Sequence, residues 1–310
     1  MDNQPKVRLI YQGTDVTDDV DIIECVHNDV CGGESDCLNI RVDHADKWFR
    51  WGPQKNDTLQ VKRSGYDSGT LYLNTIIPED GTYRILATSA KSVPFPVRWQ
   101  SFKKKTLSAI MTMCAGECGM GAKQYGISGG MLYQYLLRDN TSVPMFLETL
   151  ANREGAVLKT LSGDYVAIGI DYAQGLSPMH EMELDDKQMD SKYIDRRDLR
   201  WKSLQIVTPY GNGTSVDSAA NGPSRTISDI PVDDAAQAKR WARGILLLHN
   251  WQAESLEIEM DFNPGYTAMA RINVASRTDA NGNWIIRKVK QDLLNGRTKA
   301  VMHRCLTTVT

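Results

Sequence analysis

Residues 35–62 read SDCLNIRVDHADKWFRWGPQKNDTLQVK, and two alternations within them decide the fold. Leu38, Ile40 and Val42 are interleaved with Asn39, Arg41 and Asp43, and further on Leu59 and Val61 are interleaved with Gln60 and Lys62. Successive side chains of a strand point to opposite faces, so each run is a strand with one wet and one buried face. Working outward, the signature repeats. VRLIY (7–11) runs into Gly13-Thr14-Asp15, and Tyr83, Ile85 and Ala87 alternate after the turn pair Asp80-Gly81. Near the other end, Leu256, Ile258, Met260 and Phe262 alternate with Glu257, Glu259 and Asp261. MARINVAS (269–276), NWIIRKVKQDL (283–293) and TKAVMHRCL (298–306) add strands around the hairpin pair Asn281-Gly282. The chain therefore reads as mainly β with α insertions, an α+β fold whose strands form a barrel or sandwich.

Three stretches change period. From Thr106, the positions Leu107, Ile110, Met111, Cys114 and Cys118 fall at helical spacing, with Gly119 as the stop. A second helix starts at the cap Ser142 with Pro144 in its first turn, turns Phe146, Leu147, Leu150 and Ala151 inward, and ends at Gly155. VLKT…DYVAIGI (157–170) follows as a hairpin with Ser162-Gly163-Asp164 at its tip. A third helix spans 233–251, with Ala238, Trp241, Ala242, Ile245 and Leu248 on its apolar face. Residues 176–200 read as a linker or a strand entering the next unit, and 211–223 (GNGTSVDSAANGP) as a flexible loop. The expected division is a first β domain (1–100), a small helix-and-hairpin insert (101–175), and a second β domain (176–310) with the helix 233–251 packed on it.

The chain has 310 residues, enough for a sizeable core, and a formal net charge of −2, which argues against nonspecific nucleic-acid binding. No run approaches the roughly 20 apolar residues of a membrane helix, and MDNQPKVRLIYQG lacks the build of a secretory signal, so synthesis in the cytosol is expected. Chemistry is scarce. His27, His44, His180, His249 and His303 are scattered outside any metal-binding spacing, and no nucleophile elbow is present. The glycines between Gly116 and Gly130 follow a helix rather than a strand, so they do not form a phosphate-binding loop. Cys25, Cys31, Cys37, Cys114, Cys118 and Cys305 contain no C-x-x-C pair and read as free core thiols, with Cys114 and Cys118 on the buried helix stripe; a disulfide is the second reading, for a particle outside the cell. Lys103-Lys104-Lys105 reads as solvated surface before the first helix, with contact to an acidic partner as the second reading. Glu257, Glu259 and Asp261 put three negative charges on one face of one strand, either its wet side or the acidic lining of a channel.

The order of these features resembles the phage late-control D family, the baseplate hub proteins of contractile-tailed phages. That family has relatives in phage-tail-like bacteriocins and type VI secretion spikes. In 35–62, Asp36, Asp43, Trp51, Pro53 and Asp57 match the family's "D-x-L-x-I-x-L-x-D … W … P-x-x-G-D" segment, with Asn56 where Gly is usual. In 85–111, Ala87, Thr88, Ser89, Thr106, Leu107 and Ile110 match an "A-T-S" strand end and a "T-L-x-x-I" helix start. In 135–169, Phe146, Leu147, Leu150, Ala151 and Gly155 fall in register with "F-L-x-x-L-A-x-x-x-G", while Ser142 replaces the family's acid. The helix beyond 230 and NGNWIIRKVKQDL resemble its closing domain.

The resemblance implies two tube-like antiparallel β-barrel or sandwich domains flanking a small helix-hairpin domain. Three copies would form a pseudo-sixfold ring joining the tail tube to the central spike, with a channel for DNA or effector. It implies a non-enzymatic homotrimer in the virion's tail baseplate, assembled in the host cytoplasm, without cofactor, metal or membrane insertion. Its partners would be tail tube, central spike, baseplate wedge and tape measure proteins, with DNA passing without specific binding. Glu257, Glu259 and Asp261 are the expected lumen-facing acids. Two rivals stand beside this reading: a tail-associated peptidoglycan hydrolase, and a receptor- or glycan-binding β module to which Trp48 and Trp51 would contribute.

Overall fold

The period-two runs form strands. Cys37–Asp43 buries Leu38, Ile40 and Val42, Thr58–Arg63 buries Leu59 and Val61, and Thr82–Thr88 buries Ile85 and Ala87. The structure is a computed structural model that describes residues 6–43, 52–93, 97–184 and 190–310. It is mostly strand, with large antiparallel sheets and a few helices. Trp48, Trp51, His44 and the acidic pair Asp185-Asp186 lie outside the described residues.

One sheet of 14 strands dominates. Its main path runs Asp190–Asp195, Glu254–Asp261, Arg297–Arg304, Gly282–Asp292, Asp21–Val30, Cys37–Asp43, Thr82–Thr88, Leu71–Glu79, Thr58–Arg63, Arg8–Tyr11, Thr14–Asp15. The join is antiparallel, from Val26 opposite Asp292 to Val30 opposite Lys288, so strands from both ends of the chain share a ladder. Beneath this continuous sheet lie two apolar cores. Leu9, Leu38, Ile40, Val61, Leu71 and Ile85 fill one; Leu256, Ile258, Ile272, Trp284, Val289 and Met302 fill the other.

A third core gathers the helices Leu107–Glu117, Val143–Arg153 and Ala235–Trp251, the hairpin Ala156–Leu161/Asp164–Gly169, and a three-stranded sheet of Ser203–Thr208, Gly211–Val216 and Ser224–Ile227. Thr106 caps the first helix by accepting a hydrogen bond from Ala109 N at 3.3 Å, and Gly119 takes φ +62 just past its end. Ser142 occupies the cap position of Val143–Arg153 but makes no side-chain cap bond; only its carbonyl accepts, from Phe146 N at 3.0 Å. All six cysteines are free thiols, with Cys114 and Cys118 in this core.

Two readings of the sequence change. Gly211–Val216 is a strand and not a flexible loop, because its glycines serve packing. A Cβ on Gly213 would fall on the backbone of Ala238 and Lys239, so their absence lets Ala235–Trp251 lie directly on the strand. That helix also buries more than one stripe. Leu246 and Leu247 are buried with Ala238, Trp241 and Ala242, since the helix is held between the small sheet and Val143–Arg153, whereas Ile245 is half-buried. No helix among the described residues is long and apolar enough to cross a membrane.

His303 lies where this helix meets the sheet, its ring 5.0 Å from that of Trp251. Its Nδ1–H donates to the Glu254 carbonyl at 3.2 Å and its Nε2 is buried without a partner. Burial pulls it down to about 4, against the raising effect of the Glu254 bond and with help from Arg287. A depressed histidine stabilises the fold fully above its ordinary value of 6.5 and loses that contribution as the pH falls toward 4. The expected penalty is about 1.4 kcal/mol per pH unit across that window. Thermal melts at neutral and acid pH should show His303→Gln losing less on acidification than the natural protein. Equal losses would mean that the ring is not held neutral.

Candidate functional site

Two features stand out from the residues upward: the polar face of the large sheet and a charged junction beneath it. On Glu254–Asp261, Leu256 and Ile258 point into a core, so Glu257, Glu259 and Asp261 point the other way. Each stands opposite a base. Glu257 faces Lys192 on one neighbouring strand, while Glu259 and Asp261 face Lys299 and Arg297 on the other. Arg297 bonds Asp261 at 2.9 Å and reaches Glu259 at 3.6 Å. The same face continues across the join, through Lys290 opposite Lys299, Asn28 opposite Lys290, and Arg41 opposite Glu24. The three acids are thus part of a mixed-charge face that runs across both halves, rather than an isolated acidic stripe.

Below the join, a cavity of about 530 Å³ is lined by His27, Asp29, Asp36, Tyr66, Lys159, Thr267 and Ala268, among others. Lys159 comes from the insert hairpin, and its ammonium bonds Asp29, Asp36 (3.1 Å) and the Val30 carbonyl (3.2 Å). Asp29 also accepts from Ala268 N at 2.9 Å, and Asp36 from Val30 N at 3.0 Å. One buried cation therefore ties the strand Asp21–Val30, Asp36 and the hairpin Ala156–Leu161/Asp164–Gly169 together, and Asp29 carries the link on to the 267–268 loop. Burial pushes the Asp36 carboxyl up, opposed by Lys159 and reinforced by Asp29. Burial works to lower Lys159, but the two carboxylates outweigh it and hold it raised. Burial also pulls His27, bonded to the Tyr66 hydroxyl, down to about 4. The geometry is that of a clamp. Among the described residues, no group of three or more His, Cys, Asp or Glu side chains could hold a metal ion.

Of the family-motif residues, Asp36 alone belongs to the junction, and His27, one of the scattered histidines, lines the same cavity. Asp43 ends its strand opposite Asp21, and Pro53 is half-buried. Asp57 accepts from the Tyr11 hydroxyl, Gln12 Nε2 (2.6 Å) and Gln54 N (2.6 Å), while Asn56 takes φ +71 as the turn requires. Leu107, Phe146 and Leu147 are core, Phe146 stacking on Phe102 at 5.6 Å, and a Cβ on Gly155 would stand 3.4 Å from the Gly244 Cα. Sequence reasoning missed Lys159 and Asp29. A charge inside the apolar run AVLKTL (156–161) was the available signal for Lys159; Asp29 gave none.

No protein-family model matches the sequence, and no curated protein matches it. Solved structures do. The tail protein from Neisseria meningitidis MC58 superposes with a TM-score of 0.74 at 11% identity, over 97% of both chains. The 43 kDa tail protein of prophage MuSo2 from Shewanella oneidensis gives 0.70 at 12%, over 97% of this chain and 98% of the other. The chain has the fold of these tail proteins. The E. coli c3393 protein, a type VI secretion component described as structurally similar to the T4 bacteriophage tail proteins gp27 and gp5, gives 0.56 at 8%, over 93% and 74%. The tail-protein fold thus accounts for nearly the whole length, insert included.

Proposed function

We propose that the chain is a structural subunit of a phage-type tail baseplate, a hub of the late-control D kind. Three copies close into a pseudo-sixfold ring that joins the tail tube to the central spike. The observation that carries this reading is the single sheet built from both ends of the chain, with two cores on one side and one polar face on the other. Such a sheet is a ready-made wall: three copies side by side present six β units around an axis. In that ring the face bearing Glu257, Glu259 and Asp261 lines the channel. Its matched Lys192, Lys299 and Arg297 leave little net charge, so a passing polyanion finds no cationic track on which to condense. The buried polar clusters act as clamps rather than catalysts, and the partners are the tail tube, spike, wedge and tape measure proteins of a virion.

Sedimentation of the purified chain, alone and with its spike protein, tests the proposal. A threefold mass, or a complex of three chains with three spike chains, is expected, and negative-stain images should show a central hole. A monomer under both conditions would remove the ring. Clearing of a cell-wall zymogram by the isolated chain would replace it with the hydrolase reading.

A further inference from the structure

We propose that the two-stranded ribbon of Arg98–Thr106 and Leu132–Thr141 is a docking surface for an extended, acidic protein segment carrying a large apolar side chain. This inference stands apart from the ring.

The ribbon is a separate sheet on the flank of the insert. Its inner side is ordinary core, with Phe102 opposite Leu136 and both buried. The outer side is not an ordinary wet face. Trp99 is 65% exposed, Leu132 52% and Tyr135 46%, with Lys103 directly opposite Tyr135 in the ladder. Lys104 takes φ +48, which breaks the alternation of the strand, and Lys103, Lys104 and Lys105 are all exposed. Most other cations nearby are matched: Arg98 and Arg138 of the ribbon with Glu117, Lys123 with Asp164, Arg240 with Glu154, Arg243 with Asp171, while Arg153 lies over the Trp241 ring. Among the described residues, the three consecutive ammoniums have no carboxylate partner.

The edges of the ribbon differ. On Leu132–Thr141, the Asp233 carboxylate accepts from Gln134 N (2.8 Å) and Tyr135 N (3.1 Å), which occupies two of its backbone donors. Among the described residues, no strand pairs with the outer edge of Arg98–Thr106, which carries the lysines. Beside the ribbon, Tyr135, Tyr210, Pro231, Val232 and Asp233 line a cleft of about 290 Å³, and Tyr210 is 74% exposed.

These features specify an occupant. Unmatched ammoniums ask for carboxylates, an open strand edge for extended backbone, and a tyrosine-walled cleft for one large apolar side chain. A nucleic acid fits less well. Its phosphates could meet the ammoniums, but it has no extended peptide backbone to pair with the open edge of Arg98–Thr106.

The test uses the full chain and three fluorescein-labelled probes, read by anisotropy at about 50 mM salt, where surface charge is only partly screened. The probes are the peptide Glu-Val-Glu-Tyr-Glu-Val-Glu, its counterpart with every Glu replaced by Lys, and an oligothymidylate. The acidic peptide should bind at least tenfold more tightly than the basic one and lose affinity as salt is raised. The charge-reversed variant Lys103→Glu/Lys104→Glu/Lys105→Glu should abolish that preference, and Trp99→Ala should weaken binding several-fold. Equal binding of the two peptides, an unaltered preference in the charge-reversed variant, or tighter binding of the oligothymidylate would each overturn the proposal. If charge reversal instead lowered the oligomeric mass, the ribbon would be a contact between copies. The docking proposal would then fall while the ring stood.

Discussion

Replacing Lys159 by methionine should lower the stability of the chain by about 3–5 kcal/mol, the usual cost of breaking a buried ion pair from one side. The methionine fills the same volume, so little of this loss comes from packing. It comes from Asp29 and Asp36, left together in a cavity with one cation fewer than before. Two carboxylates that repel each other out of water must then take up protons or open the join to solvent. Restoring neutrality should restore stability. The triple variant Lys159→Met/Asp29→Asn/Asp36→Asn keeps acceptors for Ala268 N and Val30 N and should recover most of the loss. Urea unfolding of the three proteins measures this, and a single variant as stable as the natural chain would show that the junction carries no stress.

Gly244→Val should cost about 3 kcal/mol, at the upper end of overpacking effects. A Cβ at Gly244 would fall on the Arg153 carbonyl oxygen and stand 2.5 Å from Gly155 N, so the helix Ala235–Trp251 would have to lift from the end of Val143–Arg153. Backbone groups cannot rotate away as a side chain can. Lifting the helix would also pull Trp241 Nε1 from the Glu154 carboxylate, which it meets at 2.6 Å together with Arg240. Gly116→Ala is the control: it sits in an exposed helical turn with nothing within 4 Å of a Cβ, and should be neutral or slightly stabilising. Thermal melting compares the two, and an unshifted midpoint for Gly244→Val would contradict the close crossing.

Local pattern made much of the fold legible. Leu38-Ile40-Val42 and Leu107-Ile110-Met111-Cys114 each announce their element because their neighbours along the chain settle which face is wet. What sequence could not disclose depends on distant partners. Gly211 and Gly213 look like loop residues until a helix is laid across them. Glu257, Glu259 and Asp261 look like an acidic stripe until Lys192, Lys299 and Arg297 arrive on adjoining strands. Lys159 meets residues more than a hundred positions away, and nothing in AVLKTL says which carboxylates it will find. Asp36 was picked out by resemblance alone, and its place beside Lys159 supplies a physical reason for an acid there.

The ladder between Asp21–Val30 and Gly282–Asp292 has a temporal consequence. Its two strands are about 260 residues apart in the chain, so the earlier one leaves the ribosome long before its neighbour exists. Until then the edge of Asp21–Val30 stays uncovered, and closing so long a loop is slow. Pairing across the join should therefore come late, and the growing polypeptide should depend on chaperones that shield the edge of Asp21–Val30 until Gly282–Asp292 has been made.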